Sequence, residues 1–223
     1  MAERHQAAGP GGAIRELVHV SSGKVRLEGM LELPESARGV VLFAHGSGSS
    51  RLSPRNNFVA RELHAAGLGT LLLDLLTAEE DETYATRFDI ALLTRRLADA
   101  ARWLTEQPVT QNLPVGLFGA STGAAAALRV AADLPDQIAA VVSRGGRPDM
   151  AGNEQLAQVL APTLLIVGGE DLQVIELNQE AYRELRCEKE MAIVAGATHL
   201  FEEPGTLARV ATLAARWFAR HLK

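Results

Sequence analysis

Ser121 lies at the centre of a short motif in which a serine could act as a nucleophile. Residues 119–123, GASTG, connect an apolar run at 115–118 to an alanine-rich helical stretch at 124–132. A serine at the tip of a sharp strand-to-helix turn has strained backbone angles, and side chains two residues away on either side would clash. Glycine at both positions therefore predicts a turn that points the Ser121 hydroxyl toward a substrate. The alternative is a turn of small residues that lets a helix pack tightly on a strand.

A serine hydroxyl becomes a good nucleophile only when a base removes its proton. Two histidines follow Ser121 in the chain. His199 is in a loop just after the last predicted strand, whereas His221 is near the end of an amphipathic helix, where we expect it to contact solvent. Because a loop at a strand end can reach the same rim of a sheet as Ser121, His199 is the candidate base. Its alternative role is to cap the helix that follows.

The base needs an acid that holds its imidazole in the correct tautomer. We expect this acid at the carboxyl end of the preceding strand, where the run 163–167 leads into GGED at 168–171. Glu170 and Asp171 both qualify by position. Asp171 is preferred because a Gly-Gly turn and one spacer residue direct it toward the histidine loop, which leaves Glu170 as a solvated neighbour.

Two backbone N–H groups are needed where negative charge develops on the substrate oxygen. The first candidate is Thr122, which follows the nucleophile at the start of a helix. The second is Ser47, in the loop HGSGSS at 45–50 after the strand predicted at 40–44. This loop is not a phosphate-binding P-loop because no Gly-Lys-Ser/Thr follows it. We expect His45 to brace the loop.

Arginines follow two of the predicted strands at the carboxyl edge of the sheet: Arg51, Arg55, Arg144 and Arg147. Loops at this edge lie beside the active site in a doubly wound sheet, and guanidinium groups bind carboxylates and phosphates well. Arg51 and Arg144 are therefore candidate binding residues for an anionic substrate. The alternative is local pairing with carboxylates such as Asp149 or the acidic run 79–82, which otherwise reads as a solvated loop.

The candidate residues are positioned by strands and helices that alternate along the chain. Nearly continuous apolar runs typical of parallel strands buried on both faces are found at 40–44, 68–73, 115–118, 138–142, 163–167 and 191–195. Helical patterns are found at 53–66, 90–104, 124–132, 174–185 and 207–217. Two earlier segments, 17–20 and 25–33, predict an antiparallel hairpin. The sequence therefore predicts a mostly parallel, doubly wound sheet with an antiparallel N-terminal edge and no lid domain.

Composition limits the classes of function. The chain has 223 residues, 47% hydrophobic content, a net charge of −5 and one cysteine. We expect a disordered tail at residues 1–12 and a single domain at 13–223. No feature indicates a nucleic acid, a membrane, a metal or a cofactor as partner, and the polar N-terminus without an apolar secretory core favours a cytoplasmic protein.

Four motifs (HGSGSS, GASTG, GGED and GATHLF) resemble the α/β-hydrolase superfamily from about residue 25 to the end of the chain. The chain is most similar to small lidless members labelled dienelactone-hydrolase-like, some of which are joined to or found near phosphoribosyltransferases. This resemblance implies an eight-stranded sheet, a triad of Ser121, Asp171 and His199, and a functional link to a phosphoribosyltransferase. Dienelactone hydrolases use a cysteine nucleophile where this chain has Ser121, which favours ester or thioester hydrolysis over dienelactone turnover.

These observations predict a serine hydrolase that cleaves an ester or thioester of a small substrate through an acyl-enzyme. If Arg51 and Arg144 bind the substrate, the substrate is anionic. Two other classes remain open. An acyltransferase or perhydrolase would use the same triad with a different acyl acceptor. A non-catalytic ligand-binding module could have the same fold, although such a module has no need of all three triad residues.

Overall fold

Eight strands form one sheet in the computed structural model, which describes residues 12–223. The strands are β1 (Ile14–Ser22), β2 (Val25–Leu33), β3 (Val40–Ala44), β4 (Gly69–Leu73), β5 (Val115–Ala120), β6 (Ile138–Arg144), β7 (Thr163–Gly168) and β8 (Lys189–Val194). Their order across the sheet is β1-β2-β4-β3-β5-β6-β7-β8. β2 is antiparallel to both β1 and β4, and the other neighbouring strands are parallel. The predicted mostly parallel sheet with an antiparallel N-terminal edge is confirmed.

Helices cover both faces of the sheet. They are α1 (Pro54–Ala65), α2 (Ala78–Asp81), α3 (Tyr84–Arg87), α4 (Ile90–Glu106), α5 (Thr122–Asp133), α6 (Asn153–Gln158), α7 (Leu172–Glu184) and α8 (Thr206–His221). Apolar side chains of α1 and α8 pack on one face, and those of α4, α5, α6 and α7 pack on the other. The N-terminus of α1 is capped as its sequence predicts, with the Ser53 hydroxyl accepting from Asn56 N–H at 3.3 Å.

The central strands are buried on both faces, which explains their continuous apolar runs. In β3, Val40 and Leu42 belong to the core under α4 and α5, whereas Val41 and Phe43 belong to the core under α1 and α8. Successive side chains of a strand point to opposite faces, so both sets must be apolar when helices cover both sides. The parallel pairing of β3 to β8 places their carboxyl ends at one edge.

The segment between β6 and β7 holds only a 3-10 turn (Pro148–Ala151) and the short helix α6, so the expected absence of a lid domain is confirmed. Within residues 12–223, none of the helices is long and apolar enough to span a bilayer. The tail expected at 1–12 lies outside the described residues apart from Gly12, and the domain boundary at residue 13 stays a prediction.

The acidic run 79–82 is not the expected solvated loop, because residues 79–81 lie in α2 and both Glu80 and Asp81 pair with arginines. Glu80 accepts two hydrogen bonds from the buried guanidinium of Arg96, at 2.6 and 2.5 Å, and Arg96 also donates to Leu75 O at 2.8 Å. Glu80 and Thr77 form a capping box at the start of α2. The pair with Arg96 therefore holds α2 and the chain after β4 against α4.

The pair of Glu80 and Arg96 makes the free energy of unfolding depend on pH. The Arg96 guanidinium lowers the pKa of Glu80 from 4.5 to about 2, so between these values the unfolded chain binds the proton more readily than the folded one. The stabilisation is therefore complete above pH 4.5 and lost as the pH falls toward 2. We expect Glu80→Gln to weaken this part of the pH dependence, measured by urea unfolding at a series of pH values.

The neighbouring exposed residue provides the control. Glu79→Gln removes the same charge without touching Arg96 and should keep the wild-type pH dependence. Equal pH dependence in both variants and the wild type would contradict the assigned role of the pair.

Candidate active site

Ser121 occupies a strained turn between β5 and α5. Its backbone has φ +50° and ψ −122°, a region that non-glycine residues rarely adopt. A Cβ built on Gly119 would lie 2.7 Å from Ala124 N, and one on Gly123 would lie 2.6 Å from His45 O. Both contacts are too short for a carbon atom and involve backbone that cannot easily move. The turn geometry thus matches the one that the GASTG pattern predicts, and it requires both glycines.

Two backbone hydrogen bonds fix this turn to the loop after β6. Ser121 N–H donates to Arg144 O at 3.3 Å, and Arg147 N–H donates to Ser121 O at 3.1 Å. The loop is held in turn by Asn178 of α7, a fully buried side chain that donates to Gly146 O at 3.0 Å. These hydrogen bonds satisfy backbone groups that would otherwise be buried without partners. They therefore stabilise the strained conformation of Ser121 in the folded protein.

His199 and Asp171 form a direct pair at the carboxyl ends of β8 and β7. His199 Nδ1 lies 2.6 Å from Asp171 Oδ2. A carboxylate is an acceptor, so Nδ1 carries the proton and Nε2 is left as the acceptor. Asp171 is mostly buried, with 16% side-chain exposure, whereas the imidazole is 38% exposed. Glu170, the alternative acid, is exposed and makes no hydrogen bond to His199 within the described residues.

The imidazole and the serine turn contact the same short loop. A Cβ on Gly145 would lie 3.7 Å from His199 Cε1, and Gly145 follows the residue whose carbonyl accepts from Ser121. The structure therefore brings Ser121, Asp171 and His199 to one edge of the sheet.

His221, the alternative base, is the last residue of α8. It is not solvated as expected, since its side chain is 11% exposed and its ring packs on Trp217.

The loop after β3 lies against Ser121, but one predicted donor already has an acceptor. A Cβ on Gly46 would lie 3.1 Å from Ser121 Cβ, which shows how closely the loop approaches. Ser47 N–H donates to Thr122 Oγ1 at 3.1 Å. Thr122 N–H is the first of α5 and has no acceptor within the helix. Thr122 N–H is therefore the open donor, and Ser47 N–H becomes available only when the Thr122 hydroxyl releases it.

His45 braces this loop, as expected. Its Nε2 accepts from Leu75 N–H at 2.9 Å and its Nδ1 lies 3.0 Å from Gly46 O. Only the neutral ring protonated at Nδ1 makes both bonds. Burial lowers the pKa of His45, which favours this neutral form and links the loop to the chain after β4.

The four arginines have different partners, and the guanidinium of Arg51 is paired locally. Its guanidinium pairs with Asp74 and, at 2.7 Å, with Glu28, so both its charge and its donors are used locally. These contacts correspond to the alternative of local pairing, and substrate binding by Arg51 stays a prediction. Arg147 is likewise held by Asp149 in a bidentate pair at 2.9 and 2.7 Å, as in the alternative.

Arg144, the other candidate binding residue, is buried, and its side chain makes neither a hydrogen bond nor an ion pair within residues 12–223. Arg55 pairs with Glu202 at 2.9 Å.

Two residues that support the site were not predicted from the sequence. Asn178 stands on the apolar stripe of α7, one turn from Val174 and Ala181, and a polar residue on a buried stripe could have indicated its role. Glu203 accepts from Thr198 N–H and Oγ1 at 3.1 and 2.5 Å and so fixes the loop that carries His199. No local pattern marks Glu203, because an acidic residue near a helix start is common.

Within the described part of the chain, no group of three or more His, Cys, Asp or Glu side chains could hold a metal ion. The free thiol of Cys187 is half-buried, and burial raises its pKa. Cys187 lies between α7 and the start of β8, and its thiol donates to Thr163 Oγ1 at 3.7 Å.

Comparisons with known proteins give a consistent result. The family model described as "Dienelactone hydrolase family" matches residues 27–222. A crystal structure of dienelactone hydrolase from Anabaena variabilis is 56% identical, with a TM-score of 0.92 over 95% of this chain and 99% of that one. Est1E from Butyrivibrio proteoclasticus is 13% identical with a TM-score of 0.79, over 92% and 98% of the two chains, a likeness of fold alone.

Two curated Mycobacterium tuberculosis proteins named "Putative phosphoribosyl transferase" are 58% identical over 207 residues, 93% of this chain and 46% of each relative. The chain therefore spans about half the length of the curated relatives it matches.

The strained turn predicts the effect of a single methyl group. Gly123→Ala would place a Cβ against His45 O, so either α5 or the loop after β3 must shift. We expect a loss of about 2 kcal/mol or more in the free energy of unfolding, measured by urea denaturation. Gly12→Ala, with no atom within 4 Å of the new Cβ, is the control. A Gly123→Ala protein as stable as the wild type would show that the turn is not tightly packed.

Proposed function

Because the chain belongs to the dienelactone hydrolase family, we propose that it is a serine hydrolase that cleaves an ester or thioester of a small molecule through an acyl-enzyme. The observation that carries the proposal is the 2.6 Å pair of His199 Nδ1 and Asp171 Oδ2, at the same sheet edge as the strained Ser121. A binding module would gain nothing from a buried acid that orients an exposed imidazole.

In this proposal each residue of the triad has a distinct role. Ser121 Oγ attacks the acyl carbon while His199 Nε2 accepts its proton, and His199 then donates that proton to the leaving group. Asp171 keeps Nδ1 protonated and stabilises the imidazolium that forms. Water deprotonated by the same imidazole then releases the acyl group from Ser121. The balance over the cycle is one ester and one water converted to one acid and one alcohol or thiol.

The change from a cysteine to a serine nucleophile makes the acid–base pair more important. An alcohol is far less acidic than a thiol, so Ser121 cannot ionise in advance and needs a base during attack. The partly buried Asp171 supports this requirement because its interaction with an imidazolium is less screened than an exposed pair would be.

The oxyanion site in this proposal uses Thr122 N–H first and Ser47 N–H second. The Thr122 hydroxyl accepts from Ser47 N–H at 3.1 Å, so it holds the loop after β3 near the position that a substrate oxygen needs. When negative charge develops on that oxygen, it is a stronger acceptor than a neutral hydroxyl and takes over the Ser47 N–H. The Thr122 side chain is thus a positioning group for the second donor.

The link to a phosphoribosyl transferase extends to this chain as part of the proposal. The region matched in the Mycobacterium tuberculosis relatives is 46% of their length, which leaves more than half for a further part. We propose that the hydrolase acts together with a phosphoribosyl transferase activity.

Removing the nucleophile gives the first test. We expect Ser121→Ala to lower the hydrolysis of p-nitrophenyl acetate at least ~10³-fold, because the remaining groups cannot form an acyl-enzyme. A fluorophosphonate should label the wild type once, at Ser121, as measured by peptide mass spectrometry. Ser21→Ala in β1, at the far edge of the sheet, should keep both activity and labelling. Full activity in Ser121→Ala would contradict the mechanism.

A pair of carboxamide variants tests the choice of acid. Asp171→Asn keeps the shape but favours the wrong imidazole tautomer, so we expect kcat/KM to fall by roughly 10³-fold or more. Glu170→Gln, at the exposed neighbour, should change kcat/KM less than about 3-fold. The assignment is wrong if the larger loss occurs in Glu170→Gln.

A further inference from the structure

Positive charge without matching negative charge lies at the end of β6, the strand whose last carbonyl accepts from the proposed nucleophile. Arg144 is the last residue of β6, and its carbonyl accepts from Ser121 N–H. Its side chain is 7% exposed, its Nε is buried without a hydrogen-bond partner, and its guanidinium forms no ion pair within residues 12–223. A buried guanidinium with unused donors is unfavourable relative to a paired one, because it has lost its hydration without gaining a partner.

Arg55 adds a second guanidinium nearby, because it donates to Glu202, the residue after Phe201, whose ring lies against Arg144. It stands in the first turn of α1, and its charge is close enough to contribute to lowering the pKa of Arg144, which burial and this repulsion bring to about 10. Arg55 donates one hydrogen bond to Glu202, at 2.9 Å, but its Nε is also buried without a partner. Within residues 12–223, the only carboxylate bonded to either guanidinium is therefore that of Glu202, which pairs with Arg55 and is 63% exposed.

The surrounding structure holds these guanidinium groups in place. The Phe201 ring lies 5.9 Å from the Arg144 guanidinium carbon and is almost completely buried. Phe201 has φ +57°, a conformation that is unfavourable for a bulky residue. It is two residues after His199, so the strained segment connects the imidazole to the cover over Arg144. The N-terminus of α1 adds its own positive dipole end on the side of Arg55.

We propose that Arg144 and Arg55 form a binding site for a carboxylate or phosphate group, next to Ser121 and His199. An oxyanion with two acceptor oxygens supplies the missing partners for the buried N–H groups and the missing negative charge, and guanidinium groups bind such oxyanions in a defined geometry. The occupant is the anionic group of the substrate. That assignment rests on the proposed function, whereas the anion site itself does not.

Binding of inorganic phosphate to a protein that cannot turn over tests the site directly. We expect phosphate to raise the Tm of Ser121→Ala above the value in sodium chloride of equal ionic strength. The double variant Ser121→Ala/Arg144→Gln should lose this rise. Ser121→Ala/Arg61→Gln should keep it, since Arg61 is an exposed arginine on the same helix as Arg55 and its loss changes the net charge equally. An undiminished rise in the Arg144→Gln protein would overturn the site.

Arg55→Gln provides a second variant in case Arg144→Gln does not fold, because the Arg55 side chain is 32% exposed and is not part of the core. It should reduce the phosphate response in the Ser121→Ala background. An unchanged response there would also count against the site.

Kinetics then distinguish a substrate group from a free anion. In the otherwise wild-type enzyme, Arg144→Gln and Arg55→Gln should lower kcat/KM for mono-p-nitrophenyl succinate about tenfold more than for p-nitrophenyl acetate. Loss of the phosphate response with equal effects on both esters would support the site but assign it to a free anion. Retained hydrolysis in Ser121→Ala would overturn the proposed function, and the phosphate result would still decide the anion site.

Discussion

The closeness of α5 to the end of β3 is the constraint on which the site depends. The helix can begin beside the carbonyl of His45 only because residue 123 has no side chain, and a Cβ there would lie 2.6 Å from that oxygen. The same approach leaves Ser121 in a strained conformation and puts Thr122 Oγ1 3.1 Å from Ser47 N. One packing condition thus accompanies both the strained turn at Ser121 and the contact between the start of α5 and the loop after β3.

The burial of apolar side chains on folding offsets the free energy of this strained turn. Positive φ at a serine costs on the order of 1–3 kcal/mol, which is small against the burial of the strands and helices on both sides. Val115–Ala120 is buried throughout, as is most of α5. The strain persists because the burial of β5 and α5 on either side of the turn outweighs its cost.

Much of this arrangement follows from local sequence patterns. Strands buried on two faces must be apolar at every position, as in β3, and the glycines at 119 and 123 mark the turn because no larger residue fits. Asp171 and His199 are predictable because they follow strands whose carboxyl ends must share one edge. These inferences need only chain direction and residue size.

The partners of the charged residues could not be obtained in this way. Arg51 pairs with Glu28 and Asp74 because β4 lies between β2 and β3, and this strand order leaves no local pattern in the sequence. Arg144 looks similar to Arg51 in the sequence, since each follows a run of apolar residues. The difference between a neutralised and an unpaired guanidinium appears only after the sheet is assembled.

The central claim is that Ser121 reacts at a site where two backbone N–H groups receive the developing oxyanion. The most direct measurement is a crystal structure of the protein after reaction with a phosphonate ester. The account predicts a covalent bond from phosphorus to Ser121 Oγ, with one phosphoryl oxygen within hydrogen-bond distance of both Thr122 N and Ser47 N, and Thr122 Oγ1 no longer accepting from Ser47. A phosphonate attached to another residue, or one whose oxygen faces away from both amides, would contradict it.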